Sequence, residues 1–152
     1  MRAVTQSLVD GVIAVADLPC PVPLPGNVLV ETRVSLVSPG TERMLLKFGR
    51  AGWFDRIRMQ PDKVRQVLDK VCVDGLLPTF EAVRSKLDLP IPLGYCNVGR
   101  VVAVGAGVAE LRPGDRVLSN GGHAEVVRVP VNVTARIPDG LTDEQASFGV
   151  LG

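Results

Sequence analysis

Few side chains in this sequence could bind a metal or act as nucleophiles, and they lie far apart. Cysteines stand at positions 20, 72 and 96, and His123 is the only histidine. A zinc site needs three or four converging Cys, His or carboxylate ligands, and the sequence holds no C-x2-C pair. We therefore expect Cys96 to be a small buried hydrophobe, even if it meets His123 in the fold. Three separated cysteines also favour reduced thiols, and hence a cytoplasmic location, over a disulfide framework.

The glycine-rich stretch around Gly105 could bind a phosphate only if the chain entered a helix there. The dinucleotide fingerprint requires a strand, a G-x-G-x-x-G turn and a helix whose N-terminus binds the pyrophosphate. Gly105 and Gly107 begin that pattern, but Glu110 stands at the third glycine and another strand pattern follows. We predict a turn between two strands.

Alternating apolar residues predict that the chain is mainly β on both sides of its middle. The even-numbered residues from Val28 to Leu36, Thr32 among them, share one face, and charged residues such as Glu31 occupy the other. That period is typical of a half-buried strand over 27–37. Further strands are predicted at 11–16, 98–104, 115–119, 122–129 and 132–137. Short strands at this spacing, separated by Gly- and Pro-rich turns, indicate a small barrel or sandwich.

Helical patterns interrupt the strands as an insertion over residues 41–88. Val64, Val67, Leu68 and Val71 recur with the period of one helical face. Within the insertion, residues 43–70 carry eight Lys or Arg against three Asp. Such charges are either the solvated faces of helices or a surface for a phosphate or a sugar nucleotide. A capping-box pattern from Thr142 to Gln145 predicts one more helix near the end, with further chain expected to follow it.

Bulk properties exclude two classes of partner. The net charge of the 152 residues is +1, so no global field favours nucleic acid or a membrane surface. No run of 18 apolar residues predicts a transmembrane helix, and the N-terminus lacks the apolar region of a signal peptide. We therefore expect no nucleic-acid partner and no membrane association.

An ordered set of motifs resembles the N-terminal GroES-like catalytic domain of the medium-chain dehydrogenase/reductase superfamily. The motifs occupy residues 25–30, 40–42, 93–95, 98–108, 113–117, 122–127 and 137–146, in order, so the resemblance extends over nearly the whole chain. The resemblance implies a mainly β, partly open GroES-like barrel with a helical insertion. It implies a substrate-side catalytic domain over 1–141, and over 142–152 the start of a linking helix to a dinucleotide-binding domain that is absent from this sequence.

The resemblance also implies that the zinc sites of zinc-dependent relatives are lost. Two catalytic-zinc positions are filled here by Pro39 and Tyr95, and the neighbouring acidic position by Cys96. Residues 118–122 close directly the gap where relatives carry a four-cysteine lobe. The chain looks like a zinc-less bacterial branch of alcohol dehydrogenase-like oxidoreductases.

Five residues form the catalytic set that the resemblance implies. Thr41 either matches the hydroxyl that relatives use beside the substrate or caps a helix. Glu42 is either an acid or base or an ordinary first-turn carboxylate. Tyr95 could donate its phenol to a substrate carbonyl or pack at the barrel rim, with Cys96 facing the same place. His123 is either a base or a packed structural residue. We expect Thr41, Tyr95, Cys96 and His123 to meet at one end of the barrel.

The function implied by the resemblance is that of a zinc-independent, NAD(P)-dependent alcohol dehydrogenase-like oxidoreductase. This chain would be its substrate-side domain, inactive without its Rossmann domain. NAD or NADP would be bound mainly by that absent domain, in cis or in trans, and no zinc would be bound. The other partner would be a small-molecule substrate, with homo-oligomerisation left open. The alternative is a non-catalytic GroES-like module for ligand binding or assembly.

Overall fold

The computed structural model describes residues 1–7, 10–40, 42 and 90–150. The described part of the chain is mainly β, and a short helix lies near its end. Its strands are β1 (Arg2–Gln6), β2 (Ile13–Asp17), β3 (Asn27–Ser35), β4 (Ile91–Pro92), β5 (Asn97–Val104), β6 (Arg116–Ser119), β7 (Val126–Pro130) and β8 (Thr134–Arg136). The helix is α1 (Asp143–Ala146), and single 3-10 turns span Val131–Val133 and Ser147–Val150.

The strands form two sheets, which are not closed into a complete barrel. One sheet has the order β2-β1-β4 and the other the order β7-β3-β5-β6-β8. The pairs within the five-stranded sheet are antiparallel. The mainly β, partly open GroES-like barrel predicted from the sequence is thereby confirmed. The predicted helical insertion over 41–88 lies outside the described residues, apart from Glu42.

The chain divides into two compact units. The first unit comprises Met1–Thr5, Ala14–Pro39 and Pro92–Gly152, and it contains most of the strands. The second comprises Gln6–Ile13 and Gly40–Ile91. In the described part of the second unit a tight turn is closed by two backbone bonds, from the Ser7 amide to the Val12 carbonyl and from the Gly11 amide to the Ser7 carbonyl.

The core of the first unit follows from the alternation in β3. Val28 and Val30 are fully buried and Glu31 is exposed, as the period of two predicts. Leu29 departs from this period, because it is also buried, next to the register shift between Leu29 and Val30. A set of buried apolar residues from β5, β6, β7 and the connecting loop packs with Val28 and Val30: Val101, Leu111, Val117, Val127 and Val129. A smaller cluster joins Val98 and Ile137 to Ala146 of α1.

Gly99 permits the close approach of β5 to β3. Its Cα lies so near the neighbouring strand that an added Cβ would be 2.0 Å from the Glu31 carbonyl oxygen. The register pairs Thr32 with Gly99 and then shifts before Val34, so the two strands are irregular at this point. Only a residue without a side chain fits in this part of the sheet.

Two strand predictions differ clearly from the structure, and one strand was not predicted. The predicted strand 122–129 begins only at Val126, because the His123 carbonyl and the Glu125 amide bond instead to Val4 and Arg2 near the N-terminus. Residues 131–133 form a 3-10 turn, so the predicted strand 132–137 shortens to β8. Strand β1 was not predicted, since its five residues carry no strong apolar alternation, although one of its two neighbours in the sheet, β2, follows it closely in the sequence.

The chain end folds as predicted. The Gln145 amide donates to Thr142 Oγ1 (3.2 Å) and the Thr142 amide to Gln145 Oε1 (3.0 Å), which confirms the capping box. Arg116 holds the turn before α1 by donating to Asp143 Oδ1 and to the Leu141 carbonyl, both at 2.7 Å. The proposed domain boundary at 141/142 stays a prediction. None of the described helical segments has the length and apolar character needed to cross a membrane.

Candidate functional site

Three segments of the first unit meet at a backbone junction. The Leu93 amide donates to the Val4 carbonyl (2.9 Å), the Val4 amide to the His123 carbonyl (2.8 Å), and the His123 amide to the Leu93 carbonyl (2.8 Å). Each segment is therefore bonded to the other two, although the three are far apart in sequence. The junction fixes the backbone on which His123 and the Gly94-Tyr95 turn are carried.

The His123 imidazole lies against the backbone of Gly94. A Cβ at Gly94 would be 2.7 Å from ring atoms Cγ and Cδ2, and the φ of this residue is +90°, in the left-handed region that favours glycine. Tyr95 follows at once and, like His123, is half-buried. The structure thus brings His123 beside the Gly94-Tyr95 turn.

Cys96 is buried and its thiol is engaged. The residue is 1% exposed, its Sγ donates to the Ser147 carbonyl, and its own carbonyl accepts from the Leu36 amide at 3.2 Å. Burial raises the pKa of the Cys96 thiol, which keeps it protonated at neutral pH. These contacts are those expected of a small buried hydrophobe, and a catalytic role for Cys96 stays a prediction.

Of the remaining two candidates, one lies outside the described residues and the other belongs to the second unit. Thr41 lies outside the described residues. Glu42 is 7% exposed and belongs to the second unit, whereas Tyr95, Cys96 and His123 belong to the first. The expected meeting of Thr41 with Tyr95 therefore stays a prediction.

A pocket of about 280 Å³ opens beside His123 in the first unit. Its wall combines apolar side chains with two hydroxyls, the imidazole and an ion pair, from Arg2, Ala3, Val4, Val15, Thr32, Ser35, His123, Ala124 and Glu125. The volume is near the lower end of the range for small-molecule sites. At the rim, Arg2 Nε lies 2.7 Å from Glu125 Oε1, and the Arg2 amide donates to Glu125 Oε2 at 2.8 Å.

Sequence reasoning missed the polar groups around this pocket. Thr32 lies on the apolar face of β3, and its hydroxyl donates to the Ala124 carbonyl. The side chain of Asn97 is fully buried next to it. The sequence did hold one signal, because a threonine at an inward position of a valine strand requires a hydrogen-bond partner inside. Nothing local in the sequence indicates the Arg2–Glu125 pair.

Acid is expected to weaken the first unit through two surface carboxylates. The Arg2 amide lowers the pKa of Glu125 below its ordinary 4.5, and the Arg112 amide, followed by the Arg136 guanidinium, lowers the pKa of Asp115 below 3.8. A depressed folded pKa gives stability that is present above the unfolded pKa and is lost as pH falls through the folded one. The melting temperature should therefore fall as the pH is lowered below the ordinary pKa values of these two carboxylates. In a variant that combines E125Q with D115N, the melting temperature should fall less steeply with decreasing pH. A slope equal to that of the wild type would contradict the role given to the two carboxylates.

The fold and this junction define the class of the protein as a GroES-like barrel domain. Residues 67–139 match the model of the alcohol dehydrogenase GroES-like domain family. Among curated proteins, the chain is 32% identical over 120 residues to a mycocerosic acid synthase-like polyketide synthase of Mycobacterium tuberculosis, covering 76% of this chain and 6% of that protein. It is 31% identical over 128 residues to a highly reducing polyketide synthase of Gibberella zeae, covering 77% and 5%.

Solved structures agree with the family match. A mycobacterial quinone oxidoreductase is 26% identical, with a TM-score of 0.64 over 99% of this chain and 38% of that one. A mycobacterial protein in complex with NADPH is 25% identical, with a TM-score of 0.61 over 97% and 37%. The chain thus spans under two-fifths of these structures and about a twentieth of the polyketide synthases. It belongs to the alcohol dehydrogenase GroES-like family within the medium-chain dehydrogenase/reductase superfamily.

Proposed function

We propose that this chain is the substrate-side domain of a zinc-independent, NAD(P)-dependent oxidoreductase, working in the cytoplasm on a small organic substrate. The observation that carries the proposal is the junction that holds His123 against the Gly94-Tyr95 turn within a GroES-like domain. The names of similar proteins describe reductions, by a highly reducing polyketide synthase and by a quinone oxidoreductase. We infer that reduction is the working direction.

The residues at the catalytic-zinc positions do not fit zinc. The side chain of Pro39 has no donor atom, and the phenol of Tyr95 is not a usual zinc ligand. At the neighbouring position, the Cys96 thiol donates to the Ser147 carbonyl. Among residues 1–7, 10–40, 42 and 90–150, no cluster of three or more His, Cys, Asp or Glu is suitable for a metal. Polarisation of the substrate oxygen would therefore be left to side-chain donors of this chain.

The described residues do not fit a dinucleotide either. Gly105 and Gly107 lie in the connection from β5 to β6, as predicted, and no helix N-terminus follows them to bind a pyrophosphate. The cofactor, which supplies hydride, would be held mainly by a dinucleotide-binding domain in cis or in trans. One solved relative does contain NADPH.

Three side chains of this chain would then act on the substrate. The phenol of Tyr95 would donate a hydrogen bond to the substrate oxygen as negative charge develops on it. The Thr41 hydroxyl could pass a proton, because a hydroxyl donates and accepts at once. His123, fixed beside the same turn, would border the substrate and the pocket of about 280 Å³ would receive its body.

One experiment separates this proposal from a non-catalytic GroES-like module. The full reading frame that contains these 152 residues is purified without added metal, and NADPH and NADH oxidation is followed with quinone and enone substrates. We expect cofactor oxidation with zinc well below one equivalent per chain by elemental analysis. The 152 residues alone should show no NADPH binding in calorimetry at sub-millimolar cofactor. Stoichiometric zinc, or tight NADPH binding by the isolated 152 residues, would refute the proposal.

A further inference from the structure

Two buried polar side chains bond to the segment that carries His123. Asn97 is 0% exposed, and its Nδ2 donates to Thr32 Oγ1 at 2.7 Å. The Thr32 hydroxyl donates in turn to the Ala124 carbonyl. Asn97 Nδ2 also lies 3.5 Å from the Gly122 carbonyl, a longer contact. The two carbonyls belong to the residues on either side of His123.

The direction of these bonds is fixed by their chemistry. A hydroxyl has one proton, and the Thr32 proton is used on the Ala124 carbonyl. The oxygen of Thr32 must therefore accept from Asn97, which only the amide nitrogen of that side chain can supply. Asn97 and Thr32 thus form a directed chain that ends on the backbone beside His123.

These bonds replace those of a regular strand. The His123 amide and carbonyl bond to Leu93 and Val4, on one edge of the segment. The Gly122 carbonyl accepts from the Ala124 amide at 3.0 Å, whereas the bond that the structure gives to the Ala124 carbonyl comes from the Thr32 hydroxyl. A carbonyl that loses its partner away from water costs free energy, so the Thr32 donor matters most at Ala124. Valine at position 32 would fill the same space but leave the Ala124 carbonyl without this donor.

Small residues make room for the chain of bonds. A Cβ at Gly121 would be 3.2 Å from the Asn97 Cβ and 2.7 Å from Val127 Cγ2. A Cβ at Gly122 would be 2.8 Å from the Leu93 carbonyl oxygen. The backbone at Gly121 and Gly122, just before His123, is therefore closely packed against its neighbours. The bonds from Asn97 and Thr32 hold the segment in that space.

We propose that Asn97 and Thr32 are positioning residues that hold the 122–124 segment, and so keep the His123 ring against Gly94 at the pocket wall. Their effect on turnover rests on the function proposed above, whereas their effect on the ring does not. Neither residue needs to contact the substrate for this role.

The test reads the position of the ring directly. His123 is the only histidine of the 152 residues, so histidine labelling gives one set of ring signals in NMR spectra. We expect a cross-peak between the His123 ring and the Gly94 α protons, lost in Thr32→Val and retained in Thr32→Ser, which keeps the hydroxyl. The matched control is Thr134→Val, because Thr134 Oγ1 also donates to a backbone carbonyl, that of Pro130, at 2.9 Å. This control should leave the cross-peak in place.

The outcomes separate the two proposals. Unchanged ring signals in Thr32→Val overturn the positioning role, whatever the turnover. If Thr32→Val does not fold, Asn97→Ala replaces it, because that variant removes the donor to Thr32 Oγ1, and unchanged ring signals there overturn the positioning role. In the full-length enzyme Thr32→Val should lower kcat roughly tenfold or more through misplacement of the site, and Thr32→Ser should restore it. A lost cross-peak with unchanged kcat would support the positioning role and count against the proposed function.

Discussion

Gly99→Ala is expected to cost about 3 kcal/mol or more of the free energy of unfolding, a large share of what a domain of this size has. The new Cβ would be 2.0 Å from the Glu31 carbonyl oxygen and 2.8 Å from Val30 Cγ1. The oxygen belongs to the backbone of β3 and cannot turn aside as a flexible side chain would. Strands β3 and β5 would have to separate where both border the core, so the loss spreads into the packing of Val30 and Val101.

Urea unfolding followed by circular dichroism measures this loss. The control is Gly40→Ala, because a Cβ there meets nothing within 4 Å and its φ lies outside the left-handed region. We expect that control to change the free energy of unfolding by at most about 0.5 kcal/mol, or to raise it slightly. A Gly99→Ala chain with the wild-type midpoint would mean that the two strands lie further apart than described.

Tyr95→Phe should lower the turnover of the full-length enzyme roughly tenfold or more, on the scale of removing one donor to a developing oxyanion. The exchange keeps the half-buried aromatic ring at position 95, and the thermal melt shows whether the fold is retained. Only the phenolic hydroxyl is removed, and in the zinc-independent site proposed above no metal would replace it. The kcat should fall more than KM rises, because the bond strengthens in the transition state.

The measurement is steady-state NADPH oxidation together with a thermal melt of both proteins. An unchanged melting temperature assigns the lost activity to the hydroxyl. Unchanged turnover would contradict the catalytic role and leave Tyr95 as a packing residue of the rim.

Local patterns in the sequence predicted the parts of the fold that local chemistry determines. The alternation along β3 sets which of its side chains are buried, because a strand exposes its two faces in turn. The Thr142–Gln145 capping box satisfies helix amides within four residues, so no distant partner is needed. The turn after Gly105 was recognised for the same reason. The family motifs then added the open barrel, which no single pattern contains.

Distant partners determine the parts that could not be predicted. Strand β1 pairs with nearby β2, but the bonds that join it to the segment 122–125 connect residues over 100 positions apart, and a short segment read alone carries no trace of them. The same holds for the site. The His123 ring lies against Gly94 because that glycine has a left-handed φ and because the backbones of Val4, Leu93 and His123 are bonded to one another. Thr32 was placed on the buried face, but its partner Asn97 could be found only in the folded chain.

The bonds of β1 also bear on how the protein is made. Arg2 and Glu125 are 123 positions apart, and the Leu93 partner of Val4 lies almost as far along the chain. A ribosome adds about 5–20 residues per second, so roughly 6–25 s pass between the synthesis of Arg2 and that of Glu125. During that time the first strand can pair with β2 but lacks these distant partners, and contacts between distant residues form slowly. Completion of the sheet is thus timed by translation of the last third, and a pause before residue 125 would leave nascent strand edges open to association.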